Sequence, residues 1–184
     1  MIYPIVIYGT PVLRKVAVEI DKDYPKLDKF IEDMWETMYI SDGVGLAAPQ
    51  VGKSIRLFVI DGSPFAEDEP SLMDFKKLFI NAKITDTCEE EIGMNEGCLS
   101  IPLLREDVNR PTKVRIEYYD GNFEFHDEWF EGMAARVIQH EYDHLEGIMF
   151  TDKVAPLKKR LIKGKLHAIS KGKFSVDYKV RLPK

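Results

Sequence analysis

His140-Glu141-Tyr142-Asp143-His144 places two imidazoles four residues apart, with a carboxylate beside the first. On an α-helix that spacing puts both rings on one face, so they can reach one cation while Glu141 addresses a water on it. The flanks predict such a helix: Glu131 to Glu146 has apolar positions at Met133, Val137, Ile138 and Leu145, and Gly147 supplies a stop. Two imidazoles are an incomplete site, and the third donor decides its class.

Donors downstream of the motif are poor. A thermolysin-like zinc peptidase takes a glutamate about 20 residues on, yet no glutamate follows Glu146. A metzincin continues past the Gly147 position to a third histidine, where this chain has Phe150. The donor is therefore expected upstream, among Cys88, Cys98, His126 and the carboxylates. Cys98 sits in Glu96-Gly97-Cys98-Leu99-Ser100-Ile101-Pro102, where Gly97 permits close backbone approach and Pro102 limits helix. A thiolate with two imidazoles leaves one coordination position open for water, as in a catalytic site. Cys88 lies among Glu89, Glu90 and Glu91, a setting expected to raise its pKa, and His126 reads as a surface or satisfied strand histidine.

Other elements must bring these side chains together. Leu27 to Tyr39 repeats apolar residues at Leu27, Phe30, Ile31, Met34, Trp35 and Met38, which predicts an amphipathic helix ending at Ser41-Asp42-Gly43. Gly43-Val44-Gly45-Leu46-Ala47-Ala48-Pro49-Gln50 reads as an ordered loop, and Ile55 to Ile60 as a strand. Asp61 to Asp74 reads as a surface excursion. Leu78 to Ile84, Thr112 to Tyr119 and Phe123 to Trp129 are β-rich, the last two joined as a hairpin at Asp120-Gly121-Asn122. A third helix is predicted from Pro156 to about Ser170, weakened by Gly164 and followed by an alternating strand from Phe174 to Leu182. The expected class is α+β, with antiparallel sheets around a central metal-binding helix.

The chain has 184 residues, 45% of them hydrophobic and 31% charged, which fits one folded domain over 1–184 and excludes a disordered tail. Two cysteines close at most one disulfide, so this is no disulfide scaffold. The N-terminus lacks a signal- or transit-peptide pattern and no run is long enough to span a membrane, so a cytoplasmic protein is expected. The net charge of −5 conceals an asymmetry: residues 1–152 hold 15 Lys+Arg against 30 Asp+Glu, and residues 153–184 hold 11 against 1. A basic extension of the same domain thus follows an acidic body, as either a polyanion-binding face or a solvated helix.

Three segments together resemble one family. Gly43 to Gln50, Glu96 to Ser100 and Gln139 to His144 are similar to the three signature motifs of the peptide deformylases, in order and at familiar separations. The resemblance spans about residues 1–155. It implies a hydrolase that removes the formyl group from formyl-methionine on nascent bacterial chains, with Fe2+ as the metal and Zn2+, Ni2+ or Co2+ able to substitute. Carried over by position, Cys98, His140 and His144 resemble the metal ligands and Glu141 the general acid/base. The resemblance implies that the cation would activate water for attack on the formyl carbon, and the Gln50 side-chain N–H and Leu99 backbone N–H resemble the oxyanion donors. Val44, Gly45 and Gly97 resemble the backbone sites where substrate pairs as an added strand. Met94, Met133, Val137 and the backbone near Glu96 are the implied lining of the methionine pocket.

Arg136 departs from the usual apolar residue, and is expected to snorkel to solvent or meet a substrate acceptor. Arg105 is a rim residue expected to pair with Asp42. Formyl-methionyl nascent peptides are the expected partners of a monomer, with the ribosome surface a further one through residues 153–184. Membrane and sequence-specific nucleic acid are not expected. Two other readings of the motif are another metallopeptidase or metal amidase, and an inactive metal-binding protein. Glu141 and Gln50, which a purely structural site does not need, argue against the latter.

Overall fold

Long alternating runs pair into a five-stranded antiparallel sheet in the computed structural model, which describes residues 1–184. The chain begins with β1 (Ile5–Val6), α1 (Leu27–Ile40), β2 (Gly45–Ala47) and β3 (Leu57–Asp61). β4 (Lys76–Thr87), β5 (Glu91–Cys98), β6 (Ile101–Pro111), β7 (Lys113–Tyr119) and β8 (Phe125–Glu131) follow. The last elements are α2 (Gly132–Leu145), α3 (Pro156–Ser170) and β9 (Val180–Arg181). The main sheet runs β2-β3-β4-β7-β8, β5 pairs with β6 in a separate hairpin, and β1 pairs in parallel with β9.

α1 forms where the apolar spacing predicted it, burying Leu27, Phe30, Met34 and Met38 against Leu46, Leu57, Val59 and Ile80. α2 buries Ala135, Val137, Ile138 and Leu145 with Phe58, Phe79, Val114 and Ile116. A third core, of Val6, Ile7, Leu13, Leu104, Val108, Phe150 and Ile162, lies where the β5–β6 hairpin and α3 meet β1. Gly147 takes φ +70° just past α2, as a left-handed stop requires.

Several expectations are corrected. Gly43 to Gln50 is not all loop: β2 pairs Gly45 with Ile60 and Ala47 with Phe58, and Ala48–Val51 is a 3-10 turn. The Asp61–Asp74 excursion is not purely surface, because Leu72 is buried and Glu69 reaches the start of α2, accepting the Met133 N–H at 3.0 Å. A carboxylate there satisfies a free helix N–H and complements the helix dipole. Of Phe174 to Leu182, only Val180–Arg181 is strand. The longest unforeseen feature is the β5–β6 hairpin, which carries Cys98 at its tip.

Candidate metal centre

α2 presents His140 and His144 one turn apart on the side facing the β5–β6 tip, and the tip delivers Cys98. The three donor atoms lie within 4.8 Å of one another, with Cys98 Sγ 3.3 Å from His144 Nε2. Cys88 is elsewhere, its thiol 3.2 Å from the Thr112 hydroxyl. That hydrogen bond holds the Cys88 thiol below its ordinary pKa, against the expectation from its acidic neighbours. Both cysteines are free. His126 meets Asp120 at 2.9 Å and stacks on Tyr118, and Asp120 also accepts the Asn122 and Glu124 N–H groups, so that turn is satisfied internally.

The two imidazoles are held differently: burial would lower His140, but its bonds to Cys98 and Glu96 outweigh it and raise it to about 10, so this ring must shed a proton as a cation binds. His140 Nδ1 faces Glu96 Oε2 at 3.0 Å, which directs Nε2 towards the other donors. Burial, reinforced by His140, holds His144 well below the ordinary imidazole value, so it keeps a lone pair. A soft thiolate with two imidazoles suits zinc or ferrous iron. Two buried polar atoms without protein partners, Glu141 Oε2 and His144 Nδ1, belong to the same group of residues. The donor set therefore fits a divalent cation.

Behind Glu96 lies a buried ion network. Arg110, 2% exposed, grips both Glu96 oxygens at 2.6 and 2.9 Å and gives its third nitrogen to Asp143 at 2.7 Å. Arg136 donates to Glu96 Oε1 at 2.8 Å and to the Val108 and Ile92 carbonyls. It is buried and neither snorkels nor offers a rim charge, which overturns both readings made from its position. Burial alone would raise the Glu96 carboxyl; the bonds from Arg110 and His140 outweigh it and hold Glu96 well below the usual carboxylate range. Arg105 pairs with Asn95, not Asp42, donating to its Oδ1 at 2.8 Å, and its side chain lies over Gly97.

The acid/base candidate is buried. Burial pushes the Glu141 carboxyl up to about 7, despite the neighbouring His140. Its carboxylate packs against Gly45, where an added Cβ would stand 2.8 Å from Glu141 Cδ. Gly45 thus has a steric reason to be glycine that the sequence did not disclose. Gln50 is buried, and its amide orientation is set because Oε1 accepts the Ala47 N–H at 2.8 Å. Its Nε2 then points to Cys98 Sγ and Ser100 Oγ, each 3.4 Å away. Leu99 follows Cys98 at the hairpin tip, its carbonyl accepting the Tyr178 hydroxyl at 2.9 Å.

β2 and β5 each leave one edge unpaired, and these edges carry Gly45, Glu96 and Gly97, with Val44 just before β2. Of the implied pocket residues, Met94 and Met133 are half-buried, whereas Val137 packs into the core beside the sheet.

Residues 2–160 match the family model for polypeptide deformylase. A peptide deformylase of Christiangramia forsetii is 59% identical over 100% of this chain and 97% of its own length. One from Cytophaga hutchinsonii is 51% identical over 100% and 98%. Among solved structures, the Thermotoga maritima peptide deformylase superposes with TM-score 0.76 at 41% identity, covering 85% of this chain and 99% of that one. The Synechococcus elongatus enzyme in complex with actinonin gives 0.78 at 38% identity, covering 98% and 92%.

Proposed function

The chain belongs to the polypeptide deformylase family, and on that premise we propose how its own residues carry the reaction. The protein is a metal-dependent hydrolase that removes the N-formyl group from nascent polypeptides. The general metallopeptidase and the inactive metal-binding protein are thereby disfavoured.

Cys98, His140 and His144 would hold the cation, which when bound supplies Lewis acidity and makes water a nucleophile near neutral pH. Glu141 takes the proton of the attacking water and returns it to the leaving amine, so that formate and a free N-terminus are released. Gln50 Nε2 and the Leu99 N–H donate to the oxyanion that forms on the formyl carbon. Substrate lies between the open edges of β2 and β5, its backbone meeting Val44, Gly45, Glu96 and Gly97. Met94 and Met133 offer soft apolar surface to the methionine side chain. Val137, on the same helix as Met133, adds to that lining. The observation that carries this reading is the convergence of a thiol and two imidazoles with the Gln50 amide and the unpartnered Glu141 oxygen.

The metal is ferrous iron, with zinc, nickel or cobalt able to replace it, and the protein works as a cytoplasmic monomer. The basic extension supports docking on ribosomal RNA. Within it, Lys158 is tied to Glu106 and Asp107, whereas Lys159, Arg160, Lys163 and Lys165 are exposed on α3. Reversing those four charges should weaken ribosome association and leave turnover of short formyl peptides unchanged; equal loss of both would assign them a structural role.

The deciding experiment is anaerobic purification with metal analysis and a formate-release assay on a formyl-methionyl peptide and its acetylated twin. Rapid cleavage of the formyl peptide alone, lost in air and recovered with nickel, is expected. Equal cleavage of both peptides would remove the assigned specificity, and air-stable activity that follows zinc would remove the ferrous assignment.

A further inference from the structure

The Leu99 N–H can serve as an oxyanion donor only if its direction is fixed, and the hairpin that carries it does not fix it alone. The β5–β6 ladder jumps from Gly97 opposite Arg105 to Cys98 opposite Ile101, leaving Pro102 to Leu104 bulged, with Leu103 at φ +59°. The tip is held from outside. The Tyr178 hydroxyl donates to the Leu99 carbonyl at 2.9 Å, and the Tyr8 N–H donates to the Ser100 carbonyl at 2.8 Å. Tyr178 belongs to the segment after α3, which is anchored by bonds from the Ile5 N–H to the Lys179 carbonyl and from the Ile7 N–H to the Arg181 carbonyl. The same segment reaches the second donor. Arg181 lies over Gly52, its Cζ 3.1 Å from where a Cβ would stand, and Gly52 closes the 3-10 turn bearing Gln50.

We infer that Tyr178 is a positioning residue for deformylation, holding the Leu99 peptide so that its N–H points at the developing oxyanion. The segment around it braces the backbone behind both oxyanion donors. The inference rests on the donor role proposed above for Leu99. Two peptide planes meet at the Leu99 Cα; with Cys98 held in the ladder opposite Ile101, pinning the Leu99 carbonyl restrains the chain on both sides and so limits the swing of the N–H between them. A phenol hydroxyl is protonated near neutral pH, and against a carbonyl oxygen, which only accepts, it must be the donor. The family match ends at residue 160, before this segment begins.

The test is Tyr178→Phe in the full-length, metal-loaded enzyme, which deletes one hydroxyl and keeps the ring. Loss of an oxyanion donor costs about a hundredfold or more, and a loosened one should cost a part of that. Expected is a fall in kcat of about five- to twentyfold, with KM within about twofold and metal content unchanged. Amide hydrogen exchange across residues 96–101 should quicken while β3 and β4 keep their protection. A kcat within about twofold of the parent overturns the inference, as does a loss of protection spread evenly over the chain, which would make Tyr178 ordinary packing. A parent that releases no formate would instead remove the deformylase mechanism, so the two failures are told apart.

Discussion

Glu96 Oε2 stands 3.0 Å from Nδ1 of His140, so a residue two places before Cys98 orients a ligand on a different element. Glu96 also accepts from two buried arginines, Arg136 and Arg110, the latter shared with Asp143. Removing Glu96 is far more costly than its net contribution, because Arg136 is left as an unpaired buried charge and Arg110 keeps only Asp143. Glu96→Gln should lower stability by about 3 to 5 kcal/mol. It should also weaken metal binding about 10- to 100-fold. Arg136→Met leaves Glu96 with Arg110 and His140, and should cost less, about 1 to 3 kcal/mol for the carbonyls it abandons. Denaturant midpoints and chelator competition measure both; Glu96→Gln within 1 kcal/mol of the parent would contradict the network's importance.

Gln50 can be tested without emptying its site. Gln50→Glu keeps an acceptor for the Ala47 N–H but replaces the donor facing Cys98 and Ser100. Formate release should fall at least about tenfold with the fold intact. Gln50→Ala should lose a similar factor and also leave the buried Ala47 N–H unpaired. Unchanged turnover in either would remove Gln50 from the oxyanion site.

Gly45→Ala asks whether the Glu141 carboxylate needs the space above β2. The new methyl would overlap that carboxylate, which is buried and cannot swing away freely. We expect overpacking of about 1 to 3 kcal/mol. Turnover should drop more than about tenfold if a displacement near 1 Å misaligns the base. Metal content should not change, since no ligand is displaced. Full activity in this variant would show that Glu141 tolerates a second position.

The turn after α2 gives a pH-dependent prediction. Asp152 accepts the Met149 N–H at 2.8 Å and pairs with Arg14. Burial would raise the Asp152 carboxyl, but the bonds from Arg14 and Met149 outweigh it and hold it below the ordinary value. A depressed carboxyl stabilises the fold above its unfolded pKa, near 3.9, and that contribution fades as pH falls through the folded value. Because both side chains are over a third exposed, the effect is screened and should stay under about 1 kcal/mol. Melting curves should show Asp152→Asn below the parent at pH 7 and the gap closing below pH 4. A gap that widens in acid would reverse the assignment.

What could be read from the sequence tracked regular periodicity. α1 and α2 announced themselves by their apolar spacing, and the five-residue motif needed only helical geometry to place its two imidazoles. The β5–β6 hairpin stayed hidden because its inward positions include Glu96 and Arg110, charges that read as solvent-facing, and because Gly93, Gly97 and Pro102 interrupt the alternation. Arg136 was misread for the same reason: a charge on a helix looks exposed until its partner, 40 residues earlier, is known. β2 is three residues long and bounded by Gly43 and Pro49, too short for a period-two signal. Gln50 and Leu99 carry no local pattern of their own, and only the family motif pointed to them.

The parallel pairing of β1 with β9 joins Ile5 to Val180, so β1 has its partner only once the chain between them has been made. Until Lys179 and Arg181 are available, the N–H groups of Ile5 and Ile7, both fully buried in the finished fold, have no partner. A product truncated before that point would contain every metal ligand and still carry this unsatisfied backbone at its core, opening it to proteolysis. Completion of this core therefore depends on a segment well beyond the last metal ligand.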